Sequence, residues 1–513
     1  MIAVEKNKTS KIIKFEDLAK IRALHAGEKI VHCHGVFDVL HAGHLAYLES
    51  ARKFGQILVV TLTADSFVNK GPGRPHFTDR IRSRMLAALE VVDYVAVNHN
   101  LTAVPVIDVL RPDFYVKGPD YKDRSKDVTG EIYREQSAVE KHGGRIEFTD
   151  DETWSSSALI NKFFSDWSEG QLKVIREVQE AGGMQKISSL IEQMADEHVR
   201  IIGEPIVDTY IFCNPESISS KNPCISAQFL YEENYAGGSL AIANHLADFC
   251  NDVSVVFTHG GEDYFLQLLN DKVDARVQVQ GVEALNIPTP RKTRYLAIGS
   301  SQRMFEITDI RHDQWRQMPA HGFCDLLNQR DYSQGITIVA DFGHGLIEES
   351  VIHTIGGLKG FVALNAQTNS SNFGFNPFTK HKSFKYLCID FREARLAYHD
   401  RYTPAVDLVK KIHSDLKYQS SVSVTLGPNG SHYFPPGEGA AFVSPAFADQ
   451  VVDATGAGDA YFAMTSMLIK MKAPPCMVPF MGNVFAGLKT KIVGNKASVS
   501  RAQFIKALDT ILK

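Results

Sequence analysis

His34-Gly35-Val36-Phe37-Asp38-Val39-Leu40-His41-Ala42-Gly43-His44 follows a short apolar strand, Lys29–Cys33, and opens a helix, Leu45–Phe54. At such a junction free backbone N–H groups and the helix dipole favour an anion. Gly43 lets a phosphate approach the backbone closely, and two imidazoles three residues apart can face it together. Donors placed there stabilise charge that grows on a pentacovalent phosphorus. Outward from this string the first ~165 residues alternate strands and helices. Ile57–Thr63, Tyr94–Val97, Phe114–Val116 and Arg145–Phe148 read as strands, and Asp79–Glu90 as a helix. This alternation predicts a parallel sheet covered on both faces, with ligands beyond the carboxyl ends of its strands.

Ser165–Glu197 is helical and charged and reads as a connector. A second α/β pattern then runs from Val199 to the end, with strands at Val253–Phe257, Ile336–Asp341, Gly360–Leu364, Tyr386–Ile389 and Val422–Leu426. Within it lies Val452-Asp453-Ala454-Thr455-Gly456-Ala457-Gly458-Asp459-Ala460, followed by the helix-forming Tyr461–Lys470. Consecutive small residues at a helix start expose N–H groups to a transferring phosphoryl group. A carboxylate directly after them is poised to take a proton from an attacking hydroxyl. The chain has no Gly-x-x-x-x-Gly-Lys-Ser/Thr loop, so this is not a P-loop kinase.

Composition sets the class. The chain has 513 residues, 44% hydrophobic and 22% charged, which predicts a soluble globular protein of two or more domains. A net charge of −4 excludes a dedicated nucleic-acid or membrane-surface binder. Seven singly spaced cysteines argue against a disulfide framework or a structural zinc site. With no signal peptide or membrane-spanning run, the expected setting is the cytoplasm.

The first string resembles the signature of the cytidylyltransferase-like nucleotidyltransferases. Phe15–Ile160 is similar to the adenylyltransferase half of bifunctional heptose-phosphate kinase/adenylyltransferases. The resemblance implies nucleotide or phosphate contacts from Gly35, Phe37, His41, His44, Lys70, Arg74, Arg82 and the Ser155-Ser156-Ser157 run. It implies a charge partner in Lys117, a substrate contact from Asp120 in Val116-Lys117-Gly118-Pro119-Asp120-Tyr121, and Mg²⁺ on the pyrophosphate side. For Asp38 a turn-forming role and a functional one stand equally.

The second string resembles the ribokinase-like PfkB sugar kinases. That resemblance implies Asp459 as base, Thr455, Gly456, Ala457 and Gly458 as anion hole, and Thr425, Gly427 and Gly430 at the nucleotide. Asp208, Gly237, Gly238, Lys292 and Arg294 are implied at the sugar, and Glu393 near Mg²⁺. It further implies a small β lid, through which such domains form homodimers. Five positions depart from the family pattern: Ala241 for Asn, Asn365-Ala366 for Asp-Pro, His344 for Lys and Asp390 for Asn. The heptose enzymes also carry their kinase first.

These readings predict a two-domain α/β transferase: a Rossmann-like nucleotidyltransferase over 13–165, a helical linker over 166–198 and a ribokinase-like domain over 199–513. The expected activity is a sugar kinase plus a sugar-phosphate nucleotidyltransferase making an ADP-heptose-like activated sugar for a surface glycan. Its small-molecule partners are a sugar phosphate and a nucleoside triphosphate, with ATP and Mg²⁺. One alternative uses CTP and another sugar or polyol phosphate. The other joins the nucleotidyltransferase to a non-catalytic sugar-binding module.

Overall fold

A computed structural model describes residues 11–68, 75–119, 131–150, 167–218, 224–284, 286–298, 302–318, 320–437, 439–448 and 450–513. The expected site residues Lys70, Arg74, Asp120, Ser155, Ser156 and Ser157 lie outside them. The chain divides into two compact units, with the boundary after Asp166.

The first unit is built on β1 (Ile30–Gly35), β2 (Ile57–Thr63), β3 (Tyr94–Asn98), β4 (Phe114–Lys117) and β5 (Arg145–Phe148). They pair in the order β3-β2-β1-β4-β5, every pair parallel. All seven residues of β2 are buried, as a mid-sheet strand with helices on both faces requires. Val31, Cys33, Leu58, Val60 and Leu62 build one side of its core with Leu48 and Leu86. Chain order reverses between β1 and β4, so a crevice opens at their carboxyl ends. Gly35 and Lys117 end those two strands.

The second unit has β6 (His198–Gly203), β7 (Pro205–Ile218), β8 (Ile225–Gly238), β9 (Asp252–His259), β10 (Val277–Glu283), β11 (Arg291–Ala297), β12 (Gln302–Asp309), β13 (Ile336–Asp341), β14 (Phe361–Ala366), β15 (Tyr386–Asp390), β16 (Ser421–Thr425), β17 (Ser431–Phe434) and β18 (Phe442–Ser444). The main sheet runs β10-β9-β6-β13-β14-β15-β16-β17-β18, parallel from β10 to β16 and antiparallel beyond. Its reversal point lies between β6 and β13, where a Cβ on Gly203 would sit 2.3 Å from the Ala340 carbonyl oxygen. A second, four-stranded sheet, β12-β11-β7-β8, corresponds to the expected lid. The helices Glu169–Glu180 and Gly183–Gln193, read from sequence as a connector, cluster with this second unit. Gln171 donates to the Ala446 carbonyl at 2.8 Å.

Candidate active sites

In the first unit His41 is the N-cap of the helix Ala42–Arg52, and its Nδ1 accepts from the Gly43 amide at 3.1 Å. An amide can only donate, so Nδ1 carries the lone pair and the ring hydrogen sits on Nε2. The His41 and His44 rings stack at 4.0 Å between centroids, so both imidazoles stand at one helix start. Lys117 ends β4, with only 8% of its surface exposed, and pairs with Glu135 at 2.8 Å. Glu135, also buried, escaped the sequence reading because it sits inside an amphipathic helix, Glu131–Lys141.

Two expected phosphate contacts turn inward. Phe37 is buried, adopts φ 50°, and packs its ring 5.3 Å from that of His44. Only its backbone remains to offer a ligand. Arg82 is 0% exposed. Its guanidinium donates to the carbonyls of Phe77 at 2.8 Å, Val36 at 2.5 Å and Thr63 at 2.9 Å, and to Asp65 at 2.6 Å. A cation so enclosed braces the loop after β1. Asp38 likewise accepts from the amides of His76 at 2.7 Å and Phe77 at 3.2 Å, which gives it a loop-holding role.

In the second unit Asp459 lies in the first turn of the helix Ala457–Lys470 and accepts from Gln367 at 2.7 Å. Burial, reinforced by Asp208, pushes its carboxyl up to about 6, while Gln367, Lys292 and Lys489 pull the other way. Gly456 stands at φ 76° immediately before this helix, a conformation that favours glycine. Thr455 and Asp453 fix the loop: the Thr455 amide and hydroxyl both donate to Asp453 Oδ1, at 3.0 and 2.7 Å. Arg303, from β12 of the lid, reaches Asp453 at 2.7 Å and also contacts Thr455. A cavity of about 440 Å³ lies here, lined by Leu296, Arg303, Asp453 and Thr455 among others.

The sugar-side residues gather where β7, β8 and β11 meet. Asp208 Oδ1 accepts from Arg294 at 2.5 Å and Oδ2 from Asn495 at 3.1 Å. Lys292 pairs in register with Asp208, and burial lowers its pKa. A Cβ at Gly237 would sit 2.2 Å from Asp208 Oδ2, and one at Gly238 2.4 Å from the Glu204 carbonyl oxygen. Thus both glycines are imposed by close approach.

Of the residues expected at the nucleotide, Thr425 closes β16, and Gly427 and Gly430 have φ 56° and 86°. A Cβ on Gly430 would fall 2.0 Å from the Ser444 carbonyl oxygen, whereas Gly427 faces open space. The absence of a side chain at Gly430 is therefore imposed by close packing.

Glu393, expected near Mg²⁺, is engaged by backbone amides. Its Oε1 accepts from the Thr368 amide at 2.9 Å and Oε2 from the Asp390 amide at 2.7 Å, a helix capping box. Burial, with Asp390 and Asp459 adding to it, raises its pKa to about 8. Among the described residues no group of three or more His, Cys, Asp or Glu side chains could hold a metal ion. A hydrated Mg²⁺ held mainly by nucleotide phosphates and water needs no such group.

Sequence reasoning missed Lys489, Gln367, Asn495, Arg303 and Glu204. Lys489 is fully buried and donates to the carbonyls of Thr455 at 3.0 Å and Gly494 at 2.5 Å. Its one signal is a lysine ending a helix, Met477–Lys489, whose other residues are apolar or small apart from Asn483. Glu204 accepts from the amides of Phe342 at 2.9 Å and His344 at 3.1 Å, fixing the loop after β13. Burial and the neighbouring Asp341 raise its pKa to about 7.

Comparison with known proteins finds two family matches. Residues 197–468 match the pfkB family of carbohydrate kinases. The chain belongs to that family. Residues 32–162 match the cytidylyltransferase-like family, so the chain carries the two domain types in that order. Its N-terminal part is similar to bifunctional protein HldE of several bacteria. That of Magnetococcus marinus is 44% identical over 130 residues, 25% of either chain. That of Syntrophotalea carbinolica is 38% identical over 147 residues, 28% of this chain and 29% of the relative. The alignments span no more than about a third of such relatives. Among solved structures, phosphofructokinase-2 of Escherichia coli in complex with substrates and products covers 62% of this chain and 100% of its own, at 15% identity and a TM-score of 0.49.

Proposed function

We propose that the protein is a bifunctional transferase, a sugar kinase joined to a sugar-phosphate nucleotidyltransferase, with domains at 13–165 and 199–513 and the helical segment 166–198 between them. The observation that carries the kinase reading is Asp459, a carboxylate with raised proton affinity directly behind the Gly456–Gly458 turn. The acceptor hydroxyl gives its proton to Asp459 while its oxygen bonds to the γ-phosphorus of ATP. The bond from that phosphorus to the β–γ bridging oxygen breaks, and ADP leaves. Amides of the Gly456–Gly458 turn take the developing charge. Mg²⁺, when bound with the nucleotide, would neutralise phosphate charge.

In the first unit a sugar 1-phosphate oxygen attacks the α-phosphorus of the triphosphate, and pyrophosphate leaves. His41, through Nε2–H, and His44 hold the phosphates. Lys117, set by Glu135, supplies charge. The likeness to HldE supports an adenylyl product of ADP-heptose type for a surface glycan, with a separate phosphatase acting between the two steps. All seven cysteines are unpaired, which suits a reducing cytoplasm. Exposed Phe229, Phe305 and Ile307 on the lid support a homodimer through that face.

The test is to incubate the full chain with each nucleoside triphosphate and a set of sugars and sugar 1-phosphates, measuring ADP formation and pyrophosphate release separately. ATP-dependent turnover in both assays supports the reading. CTP preference in the second assay overturns its adenylyl part, and absence of any ADP formation overturns the kinase.

A further inference from the structure

The carboxyl end of β1 carries two imidazoles besides those of His41 and His44. His32 is fully buried, and His34, one residue before the glycine that ends the strand, is half-buried. Both reach one hydroxyl. His32 Nε2 and His34 Nδ1 each lie 2.8 Å from Oγ1 of Thr61, a fully buried residue that pairs in register with His34. The hydroxyl has one hydrogen and, among the described residues, these two rings to share it. One ring therefore donates to it and the other accepts from it.

His32 decides which. Its Nδ1 is buried with no hydrogen-bond partner among the described residues. A buried N–H left unbonded is the rarer fault in native structures, so Nδ1 holds the lone pair and the hydrogen sits on Nε2. Burial, with His34 and Lys117 adding to it, holds this ring well below the usual histidine range, so it carries one hydrogen only. His32 Nε2–H then donates to Thr61, and the Thr61 hydroxyl donates to His34 Nδ1. That leaves the hydrogen of His34 on Nε2. The register Cys33↔Val116 puts His34 level with Lys117 at the ends of β1 and β4, where the crevice opens. Thr63 Oγ1 lies 3.4 Å from this Nε2, beyond the range of a strong hydrogen bond. A phosphate oxygen, being charged, accepts at shorter range and roughly twice as strongly.

We propose that His34 is a further phosphate-binding residue of the nucleotidyl-transfer site, with His32 and Thr61 as positioning residues that fix its Nε2–H for a phosphate oxygen of the triphosphate or of the sugar 1-phosphate. This deepens the nucleotidyltransferase reading and rests on it. The relay sets the tautomer before any ligand arrives, so the donor costs no rearrangement when a phosphate enters.

Two measurements on the full chain test it. The first follows pyrophosphate release and takes KM separately for the triphosphate and for the sugar 1-phosphate. His34→Phe keeps a ring without a donor and is expected to raise one of the two at least tenfold, which names the phosphate that His34 meets. His34→Gln, which keeps a donor, should lose less. Thr61→Val is expected to raise the same KM at least threefold with His34 present, and to change it less than twofold in the His34→Phe background. Unchanged KM values in His34→Phe overturn the proposal, and a Thr61→Val loss that persists without His34 overturns the relay. The second measurement reads the tautomer by two-bond nitrogen–proton correlation on nitrogen-labelled protein, the His34 signals being those lost in His34→Phe. An Nε2–H tautomer whose Nε2 signal moves on adding ATP or heptose 1-phosphate supports the proposal. An Nδ1–H tautomer, or a signal unmoved by both, overturns it. If wild type releases no pyrophosphate with any substrate pair, the nucleotidyltransferase reading fails, while these signals still decide whether His34 meets a phosphate.

Discussion

Lys489 donates to the Thr455 carbonyl at 3.0 Å, so a fully buried ammonium pins the residue that precedes the Gly456–Gly458 turn. The same ammonium holds the Gly494 carbonyl at 2.5 Å. Burial lowers its pKa, and the nearby Asp453, Asp459 and Asp208 oppose that shift, so the cation is matched to the carboxylates of the site. Replacing it by methionine keeps the stem volume and strands two carbonyls, each costing about 1–3 kcal/mol. Lys489→Met is expected to lower the melting temperature of the second unit by several degrees and to cut ADP formation at least a hundredfold. Pyrophosphate release by the first unit should persist. Unaltered kinase turnover would show that the turn holds its shape without this cation.

Asp459 gives the kinase its pH dependence. Its carboxyl is raised to about 6, chiefly by burial, so the fraction able to accept a proton grows as pH rises through 6 and levels off above 7. The expected kcat/KM for phosphorylation falls tenfold for each pH unit below about 5.5. Asp459→Asn removes the base and should abolish this step at every pH. A profile flat from pH 5 to 8 in wild type excludes Asp459 as the titrating base.

Gly237 has no room for a side chain. An alanine Cβ would meet Asp208 Oδ2 at 2.2 Å and the Ile206 carbonyl oxygen at 3.1 Å, forcing the carboxylate off Arg294 and Asn495. Overpacking of this kind costs about 1–3 kcal/mol. Gly237→Ala is expected to raise the sugar KM at least tenfold while the KM for ATP changes less than threefold. Titration of sugar and nucleotide in the same ADP-release assay separates the two.

The parallel strands were legible because burial on both faces leaves a β-branched run that no amphipathic helix has: Ile57–Thr63 and Ile336–Asp341 stand where the sequence puts them. His41 and Gly456 were legible for a related reason, since a helix start writes its own local chemistry. The lid strands were not. β7 and β8 expose much of their length, so Glu216, Gln228 and Glu232 blur the period of two, and β11 finds Asp208 only through distant pairing. Arg82 reads the same from sequence whether it meets phosphate or carbonyls, and its bonds to Phe77, Val36 and Thr63 depend on distant folding. Lys489 sat where terminal lysines ordinarily reach water.

The paired histidines separate the two activities. His41 caps the helix Ala42–Arg52 through Nδ1, so His41→Ala removes both the cap and the Nε2–H donor. Loss of such a cap costs about 1 kcal/mol, and loss of a preorganised donor about 10²–10³ in kcat. His41→Asn retains a cap and isolates the second effect. Pyrophosphate release is expected to fall by that factor in both variants, with ADP formation from the sugar kinase within twofold of wild type.

Arg82 distinguishes a brace from a phosphate ligand. Its donors hold three carbonyls that Arg82→Met would leave without their partner, a loss on the order of 3 kcal/mol. The variant is therefore expected to shift the urea midpoint of the first unit downward. At a temperature where it remains folded, its KM for the triphosphate should stay within threefold of wild type. An unshifted midpoint together with a tenfold rise in that KM would return Arg82 to the phosphates and make its enclosure by Phe77, Val36 and Thr63 a state that ligand binding opens.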